Sequence, residues 1–160
     1  MGANVRLCDI TQAIVESIIN MAHSNTTIDF RLNVTRPILL SEQEAVPIAL
    51  IINELMTNAV KHMPDHLATK LINVEISMLT EERVQLIIHC HDVKLKHKID
   101  FDNNIGIGIG LELVQALLPR SNAKLEIYDQ ADGIYTSLTL EKPLFSVEHD
   151  YPAAATGKVI

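Results

Sequence analysis

The chain contains no tryptophan and few aromatic residues of any kind. Three tyrosines and three phenylalanines are its only aromatic residues apart from histidine, among 160 residues. Because 48% of the residues are hydrophobic, the core must be built from aliphatic side chains. A chain of this length is the size of one ordinary domain and can bury such a core without help.

Cysteine is equally scarce, and the two cysteines lie far apart in the sequence. Cys8 and Cys90 show neither the spacing of metal ligands nor that of a redox pair. We interpret both as buried thiols in a reducing compartment, which predicts a cytoplasmic domain.

The chain also lacks a basic excess, an apolar leader and any long hydrophobic run. Its formal net charge is -7, whereas nucleic-acid-binding domains carry a basic stripe, so we expect no nucleic-acid partner. The first residues contain no signal-peptide core, and no apolar stretch approaches the length of a membrane span. We therefore expect no membrane contact by this domain, although a longer parent protein could be membrane-anchored.

Hydrophobic periodicity predicts three helices and about five strands. The first helix is expected from Asp9 to about Ser24, and the second from near Glu44 to near His62, each behind a capping box. A polar loop at 91–104 is longer than is common in a compact domain, which favours a functional role. The third helix is predicted at 111–118, and the strands at 28–34, 72–78, 84–90, 123–128 and 134–140.

These elements favour an α/β (α+β) fold. Mostly hairpin-connected strands predict a mixed, mostly antiparallel sheet with the helices on one face, forming a two-layer sandwich. We expect one domain over residues 1–143, followed by an irregular C-terminal tail over 144–160.

The second predicted helix carries a polar stripe inside an apolar run, VPIALIINELMTNAVKHM. Glu54 and Asn58 are four residues apart, and Lys61 and His62 follow one turn later, so all four lie along one side. A carboxylate and an amide oxygen suit Mg²⁺, and a lysine can hold a phosphate. The same stripe also fits the solvated face of an amphipathic helix. Asparagine is a poor helix former, however, and its position in mid-helix favours ligand binding.

Three of the six glycines fall at alternate positions directly before the third helix, in IGIGIGLELV. Gly106, Gly108 and Gly110 allow the backbone to approach a ligand, and the N–H groups at a helix start favour anions. A flexible hinge is the alternative interpretation. The spacing is not that of a P-loop, and the glycines follow a polar loop rather than a strand, which disfavours a dinucleotide-binding fold.

NELMTNAVKH followed along the chain by GIGIGLELV resembles the ATPase domain that histidine kinases share with gyrase-type topoisomerases, mismatch-repair ATPases and a class of heat-shock chaperones. The sequence of the first motif is most similar to the histidine-kinase branch, and the resemblance extends from the first helix to about Pro143. It implies a Bergerat-type ATPase fold, with ATP and Mg²⁺ as cofactors and phosphoryl transfer as the reaction. The implied partners are a histidine-bearing dimerisation domain of the parent kinase and, indirectly, a response regulator.

The resemblance assigns roles to the polar stripe of the second helix. Asn58 corresponds to the Mg²⁺ ligand, and Glu54 would order the metal or its water. Lys61 would contact the phosphate chain, and His62 takes the position of a ring beside the nucleotide. Glu54 and Lys61 are thereby the candidate catalytic residues.

The resemblance also assigns roles to the loop and the glycines. Asp92 would accept a hydrogen bond from the adenine amino group, and the loop at 93–104 would be the ATP lid. The glycine-rich segment would wrap the phosphates through its backbone, with the third helix behind it. The residues of this second group are Gly106, Gly108, Gly110 and Leu111.

One motif departs from the family pattern. The first glycine box of the family reads Asp-x-Gly-x-Gly, but here Asp92 is followed by Lys94 and Lys96 at the glycine positions. An alternative register, counted back from Asp100, places Cys90 where the aspartate belongs. Either register impairs the adenine site. The two lysines could contact phosphates or could be solvated loop charges.

A second departure concerns histidine. None of the seven histidines lies in a phosphoacceptor motif, and the helical hairpin that would carry one is absent, so we expect a fragment of a longer kinase. The histidines are His23, His62, His66, His89, His91, His97 and His149. Two alternatives stay open: a degenerate kinase-like module, with weak or no nucleotide binding, that acts in protein–protein interaction or phosphotransfer, and an anti-sigma-factor-type serine kinase.

Overall fold

A computed structural model describes residues 3–21, 25–64 and 67–148 of the chain. His23, His66 and residues 149–160 of the predicted tail, His149 among them, lie outside the described residues. The helices and strands follow one another in the order β1 (Asn4–Arg6), α1 (Leu7–Met21), β2 (Thr26–Asn33), β3 (Ile38–Ser41), α2 (Glu42–His62), β4 (Lys70–Thr80), β5 (Arg83–His91), α3 (Ile109–Leu117), β6 (Ala123–Gln130), β7 (Gly133–Glu141) and β8 (Ser146–Val147).

The main sheet has five strands in the order β2-β4-β5-β7-β6. β2 runs parallel to β4, and the other three pairings are antiparallel. The predicted mixed, mostly antiparallel sheet is therefore confirmed. Its edge strands are β2 and β6.

The core lies between one face of this sheet and the helices. Alternate strand residues point to the same face, so β4 and β5 each bury every second side chain. α2 contacts α1, α3, β4 and β5, which places it at the centre of the helical layer. The fully buried side chains of this interface include Ile48, Ile51, Ile52, Met56, Ile72, Val74 and Ile88. The predicted two-layer sandwich is thus confirmed.

A second, three-stranded sheet in the order β1-β3-β8 was not predicted. Its outer strands have only three and two residues, too few to show an alternating pattern. β8 pairs with β3 through Ile38 and Val147. Leu144, Phe145 and Val147 are buried, so the first residues of the segment expected to be irregular join the core.

The capping signals in the sequence predict the start of α2 correctly but not the start of α1. Ser41 caps α2 as expected, because its Oγ accepts a hydrogen bond from the Glu44 N–H at 3.3 Å. The predicted capping box at Asp9 is wrong: α1 begins at Leu7, and Asp9 lies within its first turn. The short strand β1 leads directly into α1, with no residue between Arg6 and Leu7.

Candidate functional site

Glu54 and Asn58 of α2 face the first turn of α3. A Cβ atom added to Gly110 would lie 3.3 Å from Asn58 Nδ2, 3.5 Å from Asn58 Oδ1 and 3.7 Å from Glu54 Oε1. Both side chains are half-buried. Three residues that the sequence singled out in two separate motifs therefore meet at one junction between α2 and α3.

The close approach at this junction depends on the glycine in α3. The helix was predicted to begin at residue 111, but it begins at Ile109, so Gly110 lies in its first turn. A side chain at Gly110 would press on the Asn58 carboxamide. The absence of a side chain lets the helix backbone reach the two oxygen-bearing groups of α2.

Gly108 is the N-cap of α3 and presents an open surface. A Cβ atom at Gly108 would meet no atom within 4 Å, and no side chain caps this helix. The first intrahelical hydrogen bond runs from the Glu112 N–H to the Gly108 carbonyl at 2.9 Å. The preceding N–H groups of the first turn have no intrahelical partner, which is the usual condition for anion binding at a helix start.

Gly106 has a different, conformational role. Its φ angle is +73°, in the region that favours glycine, and an added Cβ would collide with the Lys98 carbonyl oxygen. It would also lie 2.9 Å from His97 Cδ2. Of the three glycines in the cluster, Gly106 closes the preceding loop, whereas Gly108 and Gly110 line the side of α3 where it begins.

The other predicted residues of α2 and α3 surround this junction less closely. Lys61 and His62 are exposed in the last turn of α2, one turn beyond Asn58. Leu111 is half-buried against the hydrophobic core. The structure brings Glu54, Asn58 and Gly110 together and leaves Lys61 and His62 at the rim.

Asp92 follows the end of β5 in a left-handed conformation. Its φ angle is +60°, and its N–H donates to the Asp132 carbonyl at 3.1 Å, while the carboxylate is exposed. Lys94 and Lys96, at the positions of the family's glycines, are exposed as well. Among the described contacts, none joins Asp92 to the α2–α3 junction.

The two cysteines confirm one part of the expectation and modify another. Cys90 is buried, and burial raises the pKa of its thiol to about 12. A thiol that stays neutral differs in charge from an aspartate carboxylate, which favours the register that begins at Asp92. Cys8 is only half-buried, and its pKa is raised first by desolvation and then by the neighbouring Asp9.

The loop at 93–104 is folded on itself. The Asp100 carboxylate accepts hydrogen bonds from Asp102 N, Asn103 N and Asn103 Nδ2 at 3.0, 3.2 and 2.8 Å. These bonds, with the Asn103 side chain first, lower the pKa of Asp100. Gln115 Nε2 of α3 donates to the Phe101 carbonyl at 3.2 Å. The loop is thereby attached to α3 at Phe101.

A cavity of about 580 Å³ lies between this loop and strand β6. Its walls come from Leu95, from residues 97–102, from Leu118 and from residues 123–129. Glu54, Asn58, Gly108 and Gly110 do not line it. The two surfaces expected to hold the nucleotide do face each other, but this cavity is not between them.

A polar cluster on the opposite face of the sheet was not predicted from the sequence. The His89 ring stacks on Tyr135 and tilts against His91, with ring centroids 4.1 and 3.9 Å apart. The Tyr135 hydroxyl donates to Asp132 Oδ2 at 2.8 Å, which lowers the pKa of that carboxyl and raises the pKa of the tyrosine. Asn73 Nδ2 lies 2.9 Å from His91 Nε2. The alternation in HCH, at the end of β5, was the available hint.

The donor set at the α2–α3 junction fits a magnesium ion better than a softer metal. Within residues 3–21, 25–64 and 67–148, no group of three or more His, Cys, Asp or Glu side chains is arranged to hold a metal. Glu54 and Asn58 offer two oxygen ligands, which suits Mg²⁺ because that ion keeps several waters and also binds substrate phosphates.

Within the part of the chain that the structure describes, no helix is both long and apolar enough to cross a membrane.

Comparisons with known proteins give matches among solved structures but none among family models or curated sequences. No family model matches the chain, and no curated protein matches its sequence. Among solved structures, the histidine kinase domain of the blue-light-activated kinase EL346 from Erythrobacter litoralis is similar at a TM-score of 0.73, with 17% identity and 88% of this chain covered. This chain spans 62% of that kinase domain.

Two further structures match over nearly their whole length. The mycobacterial sensor histidine kinase MprB gives a TM-score of 0.69 at 13% identity, covering 92% of this chain and 100% of that one. The catalytic domain of the histidine kinase ThkA gives 0.68 at 13% identity, covering 89% and 96%. TM-scores of 0.73, 0.69 and 0.68 over 88–92% of this chain lead to one conclusion: the chain has the fold of the catalytic domains of sensor histidine kinases.

Proposed function

We propose that the chain is the ATP-binding catalytic domain of a sensor histidine kinase, which binds ATP with Mg²⁺ and presents the γ-phosphate to a histidine on a separate dimerisation domain. The observation that carries this proposal is the position of the Glu54 and Asn58 side chains, which lie where a side chain at Gly110 would begin. Two oxygen-bearing side chains and a helix start without a side-chain cap are the groups that a magnesium-bound polyphosphate needs.

Each element at the junction contributes a separate interaction. The Asn58 amide oxygen and the Glu54 carboxylate offer oxygen ligands for the metal, which supplies positive charge at the phosphates. The N–H groups of the first turn of α3 donate to phosphate oxygens, and the helix dipole favours their negative charge. Lys61, in the exposed last turn of α2 and one turn beyond Asn58, would add a positive charge. Together these groups would position and neutralise the phosphate chain, which is the main task in phosphoryl transfer.

The adenine end of the site is assigned to Asp92. Its exposed carboxylate can accept a hydrogen bond from the adenine amino group. His62, exposed at the end of α2, would lie beside the nucleotide. Lys94 and Lys96 leave less room for the base than glycine would, so we expect weak ATP binding.

Calorimetric titration with ATP and Mg²⁺ tests the assignment. An interaction with a charged group contributes about 1.5–3 kcal/mol, so Asn58→Ala should weaken binding by about tenfold or more. Asn53→Ala is the matched control: Asn53 is exposed on the same helix, about 140° around the axis from Asn58. Equal affinities for the wild type and Asn58→Ala would defeat the site assignment.

A second candidate function is a degenerate module that keeps the fold and acts by protein contact or phosphotransfer. Two observations favour it: exposed lysines stand where the family has glycines, and the described cavity lies away from the α2–α3 junction. The two candidates differ in a thermal-shift measurement with millimolar ATP and Mg²⁺. A stabilised protein supports the kinase domain, and an unchanged melting temperature supports the degenerate module.

Restoring the glycines separates the two candidates further. In the kinase-domain account, the double variant Lys94→Gly/Lys96→Gly binds ATP more tightly than the wild type, because the backbone beside Asp92 can then approach the base. In the degenerate-module account, the double variant binds no better than the wild type.

A further inference from the structure

Strand β6 has an open edge. It is the last strand of the five-stranded sheet, and its eight residues pair with β7 on one side only. At about 3.3 Å per residue, this edge is roughly 26 Å long. Strands at sheet edges are usually kept short, bulged or covered, because unpaired backbone groups can pair with another chain. A long regular edge strand is therefore a feature that needs an explanation.

The neighbouring loop lies beside this edge without backbone pairing to it. Within the described ranges, no backbone hydrogen bond joins the loop at 93–104 to β6. The loop touches the strand through a side chain, since the Leu95 N–H donates to Asp129 Oδ2 at 3.3 Å. At its far end it is closed by paired backbone hydrogen bonds between Asp100 and Ile105, at 2.9 and 2.8 Å. A loop held in this way leaves the cavity of about 580 Å³ beside the unpaired strand.

The walls of this cavity combine an apolar interior with a charged rim. Its apolar side chains are Leu95, Ile99, Phe101, Leu118, Leu125 and Ile127. Its charged side chains are the carboxylates of Asp100, Asp102, Glu126 and Asp129 and the ammonium groups of Lys98 and Lys124. With His97 counted as neutral, four negative and two positive charges leave a net charge of -2.

We propose that the β6 edge and this cavity form a docking site for an extended, basic segment of a partner protein. The segment would add to the sheet as a further strand through its backbone. Its apolar side chains, at every second position, would enter the cavity, and its lysine or arginine side chains would meet the acidic rim.

The charges and the lining disfavour a second copy of this chain and a nucleotide as occupants of the cavity. A second copy of this chain would bring together two rims of the same sign on two proteins of net charge -7, which disfavours pairing of β6 with itself. A nucleotide would place its phosphates against a site with more carboxylates than ammonium groups. The cavity also lacks the helix start and the oxygen pair of the α2–α3 junction. The proposed docking site therefore shares none of the groups assigned to the metal and the phosphates, while the loop at 93–104, the expected ATP lid, forms one of its walls.

Fluorescence anisotropy with a labelled nine-residue peptide, in which valine and lysine alternate, tests the proposal on the whole chain. Successive N–H groups of a strand point to opposite edges, so two N-methylated versions are the informative controls. One version carries the methyl groups on the valine amides and the other on the lysine amides. Pairing through one edge predicts that one version binds about tenfold more weakly, because several backbone hydrogen bonds are lost, while the other is nearly unchanged. Equal effects of both versions would overturn the proposal, since simple charge attraction does not distinguish them.

Charge reversal at the rim supplies the second control. Glu126→Lys should weaken binding of the basic peptide by about fivefold and strengthen binding of a peptide in which glutamate replaces lysine. Glu16→Lys, an exposed change of the same kind on α1, should alter neither affinity. Hydrogen exchange should show new protection at alternate amides of 123–130 on peptide binding. Protection confined to other segments, or peptide binding that ATP displaces, would contradict a separate site at β6.

Discussion

Replacing Gly110 by alanine separates the stability of the domain from its proposed ligand binding. Alanine favours a helix by up to about 1 kcal/mol over glycine. Against this, the added Cβ would lie 3.3 Å from Asn58 Nδ2 and 3.5 Å from Asn58 Oδ1. The half-buried carboxamide must then move by a few tenths of an ångström, at a cost of about 0.5–1.5 kcal/mol for a strained rotamer.

These two effects nearly cancel in the free energy of unfolding. We expect Gly110→Ala to change stability by less than about 1 kcal/mol, which corresponds to about 2–4 °C in Tm for a domain of this size. Nucleotide binding should respond more strongly, because the amide oxygen that would bind Mg²⁺ has moved. We expect ATP affinity to fall by about tenfold or more.

A double-mutant cycle shows whether this effect passes through Asn58. Thermal unfolding and calorimetric titration are measured for the wild type, Gly110→Ala, Asn58→Ala and the double variant. If the added Cβ acts by displacing the carboxamide, the double variant binds ATP no more weakly than Asn58→Ala alone. A full additional loss in the double variant, or a destabilisation above about 2 kcal/mol, would refute this reasoning.

Three further predictions concern the rest of the fold. Gly133→Ala should destabilise the domain by about 2 kcal/mol or more in urea unfolding, because φ is +146° and the added Cβ would collide with the Cys90 carbonyl oxygen. Ile51→Ala should cost about 2–5 kcal/mol, since this side chain is fully buried (0% exposed), and the urea midpoint should fall accordingly. The hydrogen bond from Tyr135 holds the pKa of Asp132 below its unfolded value, so its contribution to stability is present above that unfolded pKa and is lost as pH falls through the folded pKa. Tyr135→Phe should therefore flatten the acid side of the pH–stability curve measured by urea unfolding, and an unchanged curve would contradict that coupling.

The sandwich could be predicted because its signals are local. Alternating hydrophobic residues within β4 and β5, which have eleven and nine residues, identify most of the buried face of each strand. The Ser41–Glu44 capping pair marks the start of α2 for the same reason, since both partners lie within one turn. The spacing of Glu54 and Asn58 likewise defines one side of a helix before any tertiary contact is known.

Features made by contacts between distant segments could not be predicted in this way. β1, β3 and β8 are joined only by tertiary pairing, so residues 144–148 gave no local sign that they would enter the fold. The cavity beside β6 depends on where the loop at 93–104 is attached, through Gln115 and Asp129, and neither contact has a signature in the sequence. The contact of Gly110 with Asn58 was anticipated only because the order of the two motifs resembles that of a known family.

The most direct test of the central claim is a crystal structure of the protein with Mg²⁺ and a non-hydrolysable ATP analogue. We expect a magnesium ion bound by the Asn58 amide oxygen at about 2.1 Å, with phosphate oxygens at the N–H groups of the first turn of α3. A nucleotide bound without contact to Asn58 or to that turn would contradict it.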